Sequence, residues 1–110
     1  MILSKTLKEL GFEVREAANG IEALEVIEVE KTAVTLVLAD WNMPEMNGFE
    51  MLKQLRSNPE LSSMVVVMVT TETDLDQMVA ALEAGANEYI MKPFTRDILV
   101  VKLELVGIHC

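Results

Sequence analysis

The hydrophobic positions of the chain follow two alternating patterns, one with helical spacing and one made of short continuous apolar runs. Leu3, Leu7 and Leu10 recur at i, i+4 and i+7, and Gly11 follows them as a stop signal. The same spacing recurs four more times along the chain. It predicts helices over residues 2–10, 21–30 and 49–56, and a fourth from Leu75 to the stop at Gly85. A fifth helix follows a cap at Thr95 and carries Ile98, Val101 and Leu105.

The apolar runs predict strands between these helices. Leu36–Asp40 and Met64–Thr70 are the buried type, because each is an apolar run with little alternation. Glu88–Lys92 is predicted as the last strand. Phe12–Ala17 alternates apolar and charged residues, which is typical of an edge strand. Strand and helix alternate from Phe12 onward, so we predict an α/β fold with a parallel sheet, right-handed crossovers and helices on both faces.

Composition narrows the class of protein. The 110 residues suit one domain, and the net charge of −9, without a Lys/Arg block, argues against direct nucleic-acid binding. Such a charge suits a divalent cation or a basic protein partner better. No apolar run is long enough to span a membrane and no leader pattern opens the chain, so we expect a cytoplasmic protein without membrane insertion. The one cysteine, Cys110, excludes an intramolecular disulfide.

Three polar residues end the last three predicted strands. The carboxyl ends of parallel strands lie at one edge of a sheet, where ligands of open α/β folds bind, so Asp40, Thr70 and Lys92 should converge there. A carboxylate, a hydroxyl and an ammonium suit a phosphoryl group, with Asp40 as nucleophile, Thr70 as donor and Lys92 as countercharge. Taken singly, Asp40 could cap a helix, Thr70 could be an ordinary β-branched strand residue, and Lys92 could be a surface lysine. No glycine-rich phosphate loop, His-Glu metal motif or Ser-His pair is present, so an enzyme is not predicted.

The motifs also carry a family resemblance. The Asp-x-x-Met-Pro-x-Met-x-Gly run from Asp40 to Gly48, Val69-Thr70, Gly85-Ala86 and Lys92-Pro93-Phe94 occur in this order along the chain. Together they resemble the receiver domain of two-component response regulators, above all the stand-alone, CheY-like chemotaxis type.

The resemblance implies a set of roles. A histidine kinase donates a phosphoryl group to Asp40, and Thr70 and Lys92 contact its oxygens. Asp40 and the backbone carbonyl of Asn42 help to hold magnesium, and the rotamer of Tyr89 follows the state of Thr70. Signalling to a downstream protein target would use residues 73–105. Trp41 either reports metal binding through its fluorescence or is merely an exposed loop aromatic.

One departure from the family concerns the start of the chain. Receivers begin with a hydrophobic strand that ends in an acidic pair which binds magnesium, and residues 1–10 contain no such pair. The resemblance then implies a single receiver domain over residues 1–110 that is truncated at its N-terminus. It would lack the central first strand of the flavodoxin-like order 2-1-3-4-5. Its magnesium site would be incomplete, with Mg²⁺ weakly bound or absent.

Three explanations would account for this departure. The chain could be a truncated version of a longer regulator, a homodimer could fill the gap by strand exchange, or the tail from Leu103 to Ile108 could serve as the strand. Two functions remain as hypotheses. One is a phosphoacceptor on Asp40, and the alternative is a phosphorylation-incompetent binding or assembly module that keeps the receiver's partner surface.

Overall fold

The structure, a computed structural model, describes residues 2–30, 36–41, 45–61, 64–70, 75–92 and 94–108. Asn42 and Thr73, where the predicted signalling surface begins, therefore lie outside the described residues. The described chain forms five α-helices and three β-strands. The helices are α1 Ile2–Glu9, α2 Gly20–Glu30, α3 Gly48–Ser57, α4 Leu75–Glu83 and α5 Arg96–Leu105; the strands are β1 Leu36–Asp40, β2 Val65–Thr70 and β3 Glu88–Met91. A short 3₁₀ helix, Pro59–Leu61, follows α3. None of the described helices is both long enough and apolar enough to cross a bilayer.

The three strands form one parallel sheet in the order β1-β2-β3. Leu36 pairs with Val65 at one end of the first ladder, and Asp40 pairs with Val69 at the other. The second ladder ends where Thr70 pairs with Met91. The predicted parallel α/β fold is confirmed, and the observed order matches the last three strands of the flavodoxin-like arrangement.

Helices cover both faces of the sheet, as predicted. Successive strand residues point to opposite faces, so each strand contributes to two apolar clusters. One cluster joins β1 and β2 to α2, α3 and α4, and includes Ile27, Ala39, Leu52, Met68 and Ala81. The other joins the sheet to α1 and α5, and includes Leu7, Val67, Ile90, Leu99 and Leu103.

The predicted strand at Phe12–Ala17 is wrong. Phe12 and Val14 do pack against the α1/α5 cluster while Glu13 and Arg15 are exposed, so the alternation of the sequence is kept. A strand also requires a hydrogen-bonded neighbour. Among the residues that the structure describes, β1 pairs with β2 alone, and no ladder includes the Phe12 segment. The segment is therefore amphipathic but unpaired.

The alternative in which Leu103–Ile108 acts as a strand is also wrong. Leu103 is fully buried within α5, and the helix runs on to Leu105. The next residues form a helix-ending turn in which the Ile108 N–H donates to the Leu103 carbonyl and the Gly107 N–H to that of Glu104. Gly107 has φ +86°, the left-handed conformation that this turn requires.

The edge of the sheet opposite the strands' carboxyl ends is fastened by Arg56, at the end of α3. Its guanidinium donates to the carbonyls of Gly85 and Met64 and to Oδ1 of Asn87, at 2.7–2.9 Å. Partial burial lowers the pKa of this guanidinium from its ordinary value. Arginine remains charged at neutral pH, so these are charge-assisted hydrogen bonds that join α3, β2 and the turn before β3.

Candidate functional site

The carboxyl ends of the strands bring an acid and a base together. Asp40 ends β1, and Lys92 follows β3 directly, 52 residues later in the chain. The Lys92 Nζ lies 2.5 Å from Oδ2 of Asp40. Both side chains keep over a third of their surface exposed, at 36% for Lys92 and 37% for Asp40. The pair is thus formed and still open to a reactant from solvent.

The predicted third member, Thr70, ends the middle strand and is buried, with 4% of its surface exposed. Its carbonyl accepts a 2.7 Å hydrogen bond from the Lys92 N–H. That contact fixes the main chain of Lys92 beside the end of β2. The structure therefore places all three predicted residues at one edge of the sheet, with the charged pair in direct contact.

The backbone of Asp40 is held by a close approach to α3. The Trp41 N–H donates to the Val69 carbonyl, and the Gly48 N–H donates to the Trp41 carbonyl. A Cβ on Gly48 would lie 2.4 Å from the Asp40 carbonyl oxygen, well inside van der Waals contact. Any larger residue would push the two backbones apart, so the first residue of α3 positions the acid at the end of β1.

Of the two predicted magnesium ligands, Asp40 alone lies among the described residues. Magnesium takes near-octahedral oxygen ligands, usually one or two carboxylates together with waters or phosphate oxygens. Among the described residues, no group of three or more Asp, Glu, His or Cys side chains is placed to hold a metal. Asp40 supplies one carboxylate, and the Lys92 ammonium already lies on it. The other predicted ligand, the carbonyl of Asn42, falls outside the described residues.

Tyr89 lies on β3 in register with Met68 and packs, half-buried, against the α2/α3/α4 cluster. The Lys102 ammonium lies 4.7 Å from the centre of its ring. Lys102 also pairs with Glu88 at 3.3 Å, which holds the cation over the aromatic face. No sequence signal connects Lys102 with Tyr89, the residue whose rotamer is predicted to follow Thr70.

Trp41 is half-buried rather than fully exposed. Its ring stacks on Phe49 of α3, with centroids 4.9 Å apart and planes 8° from parallel. The Lys53 ammonium lies over the Phe49 ring, 4.9 Å from its centroid. Because Trp41 follows Asp40 directly, the stack ties its side chain to the helix that Gly48 begins.

Two further residues near the site were missed from sequence. Asn19 caps α2, with its Oδ1 accepting from the Glu22 N–H at 2.9 Å, and its Nδ2 donates to Glu45 at 3.3 Å. Glu45 belongs to the loop between Asp40 and α3. The Asn-Gly dipeptide before a helix could have signalled the cap, but no local signal joins residues 26 positions apart.

Comparisons with known proteins identify the family of this chain. The family model described as response regulator receiver domain matches residues 1–104. Chemotaxis protein CheY1 of Helicobacter pylori is 43% identical over 106 residues, which are 96% of this chain and 85% of the relative. A chemotaxis protein CheY homolog of Campylobacter jejuni is 43% identical over 104 residues, 94% of this chain and 79% of the relative.

Solved structures show the same likeness in three dimensions. Chemotaxis protein CheY4 of Vibrio cholerae superposes with a TM-score of 0.86 at 34% sequence identity. The match covers 96% of this chain and 86% of that structure. The chain belongs to the response regulator receiver domain family, and within it to the CheY-like, chemotaxis type.

Proposed function

We propose that this receiver domain accepts a phosphoryl group on Asp40 from a phosphohistidine of a histidine kinase. A carboxylate oxygen of Asp40 attacks phosphorus and forms an acyl phosphate. The P–N bond of the donor breaks, and its electron pair stays on the imidazole nitrogen. The contact that supports this proposal most directly is the Asp40–Lys92 pair, because chain segments 52 residues apart meet at the edge where α/β folds bind ligands.

Lys92 supplies the electrostatic part of the mechanism. Phosphoryl transfer depends mainly on positioning and on neutralising charge at the phosphoryl oxygens. In the resting protein the Lys92 ammonium balances the Asp40 carboxylate. Once Asp40 becomes an acyl phosphate, the same ammonium can move onto a phosphoryl oxygen, which carries more negative charge. The pair therefore holds a cation beside the nucleophile and provides a countercharge for the product.

Thr70 is proposed as the hydroxyl donor to the phosphoryl group. It is buried at the end of the middle strand, and its carbonyl is bonded to the main chain of Lys92. A donor in a rigid strand is already oriented and loses little conformational entropy when it binds the product. Tyr89, farther from the edge on β3, is proposed to respond to Thr70 and to pass the change to a downstream protein target.

The experiment that tests acceptance measures intact mass after incubation with a small acyl phosphate, with and without magnesium. We expect the addition of one phosphoryl group to the wild-type chain. Asp40→Asn should abolish the addition, and Asp97→Asn, which alters an exposed acid on α5, should not. No added mass in the wild type under either condition, or equal addition in Asp40→Asn, would refute phosphoacceptance.

A second candidate function is a phosphorylation-incompetent binding module. The observation in its favour is that Asp40, the predicted magnesium ligand among the described residues, is already paired with a cation. Receiver domains generally use magnesium, so a weak site would slow the reaction or prevent it. Titration of Trp41 fluorescence with magnesium separates the two functions. Quenching that Asp40→Asn abolishes argues against the incompetent module, whereas no response supports it.

A homodimer formed by strand exchange is proposed as the state that would cover β1. Within the described residues, β1 has β2 as its one strand partner, and an unpaired strand edge invites another strand. The mass in solution tests this directly, because strand exchange requires two chains. A monomer at all protein concentrations would rule it out.

A further inference from the structure

We propose that Asn19 is a positioning residue for the loop that follows Asp40, and that it acts through Glu45. Asn19 is nearly buried, with 8% of its surface exposed. Both polar atoms of its side-chain amide form hydrogen bonds. Oδ1 caps α2 by accepting from the Glu22 N–H, and Nδ2 donates to Oε2 of Glu45. One side chain thus fastens the start of α2 to the loop between Asp40 and α3.

Glu45 needs such a contact. Its φ is +63°, in the left-handed region that glutamate seldom adopts. Non-glycine residues persist there when their surroundings hold them in place. The hydrogen bond from Asn19 is one restraint of this kind.

A main-chain contact reinforces the side-chain contact. The Gly20 N–H donates to the Met46 carbonyl at 2.9 Å. A Cβ on Gly20 would lie 2.7 Å from the same oxygen, so α2 approaches the loop as closely as backbone allows. The N-terminus of α2 therefore contacts Glu45 through a side chain and Met46 through the backbone.

A displacement of Glu45 and Met46 would reach Asp40 through few residues. Asn47 alone separates Met46 from Gly48, where an added Cβ would lie 2.4 Å from the Asp40 carbonyl oxygen. Gly48 also closes the loop by donating to the Trp41 carbonyl. A shift of Glu45 and Met46 would thus move Gly48, and with it the backbone of Asp40. The expected change in phosphorylation rate rests on the proposed phosphoacceptor function, whereas the expected shift of the loop does not.

The test reverses the polarity of the hydrogen bond. Asn19→Asp keeps an oxygen to cap α2 but sets a carboxylate against that of Glu45. We expect phosphorylation of Asp40 by a small acyl phosphate to slow by about tenfold or more, because small displacements of reacting groups are costly. Acrylamide quenching of Trp41 should change in the same variant. Adding Glu45→Gln restores a donor, now on residue 45, and should return both readouts toward the wild-type values.

Matched variants separate this role from a general loss of stability. Asn58→Asp adds the same charge to an Asn that caps the 3₁₀ helix, beyond the far end of α3, and should leave both readouts unchanged. Glu45→Ala removes the acceptor and leaves the α2 cap intact. It should reproduce the defect even if Asn19→Asp fails to fold.

Three results would overturn the proposal: wild-type rate and quenching in Asn19→Asp, the same in Glu45→Ala, or no recovery in the double variant. If the wild type accepts no phosphoryl group at all, the proposed function fails. Trp41 quenching in the same variants then still decides whether Asn19 positions the loop, since that readout needs no reaction.

Discussion

Gly48→Ala tests whether close packing of α3 on Asp40 controls both stability and reactivity. The added Cβ would lie 2.4 Å from the Asp40 carbonyl oxygen and 3.0 Å from both the carbonyl carbon and Met68 Cε. Met68 Cε is the end of a flexible side chain and can move. The oxygen belongs to the backbone, so β1 and α3 must separate by about 1 Å to restore an ordinary contact.

Two contributions of opposite sign decide how Gly48→Ala changes the free energy of unfolding. Overpacking a well-packed site costs about 1–3 kcal/mol. Alanine is better than glycine within a helix by about 0.5–1 kcal/mol, which offsets part of that cost. We expect the free energy of unfolding to fall by about 1–2 kcal/mol. Displacing a reacting group by about 1 Å can cost about a hundredfold in rate, so phosphorylation of Asp40 should slow by tenfold or more.

Denaturant unfolding measures the first effect, and a time course of intact mass with a small acyl phosphate measures the second. Gln54→Ala, an exposed change on the same helix, serves as the control and should stay within about 0.5 kcal/mol of the wild type. If Gly48→Ala were as stable as the wild type or more so, with an unchanged rate, helix propensity would dominate and the packing argument would be wrong.

Three other predictions follow from contacts outside the charged pair. Arg56→Met removes three charge-assisted hydrogen bonds, and we expect a loss of about 2–3 kcal/mol in denaturant unfolding because two main-chain carbonyls lose their donor; a loss below about 0.5 kcal/mol would contradict it. Lys102→Met removes the cation over the Tyr89 ring, so the ring proton signals of this single tyrosine should shift in NMR spectra while stability falls by about 1 kcal/mol at most. Unchanged signals would show that the cation does not affect the ring. Phe49→Leu removes the stacking partner of Trp41, the single tryptophan, and should make its emission easier to quench with acrylamide, whereas an equal quenching constant would mean that the stack does not protect it.

The convergence of Asp40 and Lys92 was predictable because it depends on few assumptions. Apolar runs that end in polar residues identify buried strands, and parallel strands place their carboxyl ends on one edge. The glycines after α1 and α4 likewise marked helix ends correctly. Each of these signals lies within a short stretch of sequence. To predict which strand ends meet, only the parallel direction of the strands has to be added.

Features that depend on neighbours could not be predicted in this way. The Phe12–Ala17 pattern describes one apolar side, but pairing depends on another strand. The spacing of Ile98, Val101 and Leu105 predicted helix α5 correctly, but this apolar stripe is not the one that packs on the sheet. The structure buries Leu99 and Leu103, whereas Val101 and Leu105 are 55% and 67% exposed. The contact of Asn19 with Glu45 is non-local in the same sense.

Arg56 also has a consequence for motion. Oδ1 of Asn87 accepts from both the Arg56 guanidinium and the Val66 N–H, while the Asn87 N–H donates to the Val66 carbonyl. This mutual bonding prevents β2 and the start of β3 from sliding past each other at the base of the sheet. Any rearrangement set off at the opposite rim must then pivot about a fixed base. We expect the amide hydrogens of Val66 and Asn87 to be among the slowest of the domain to exchange with solvent.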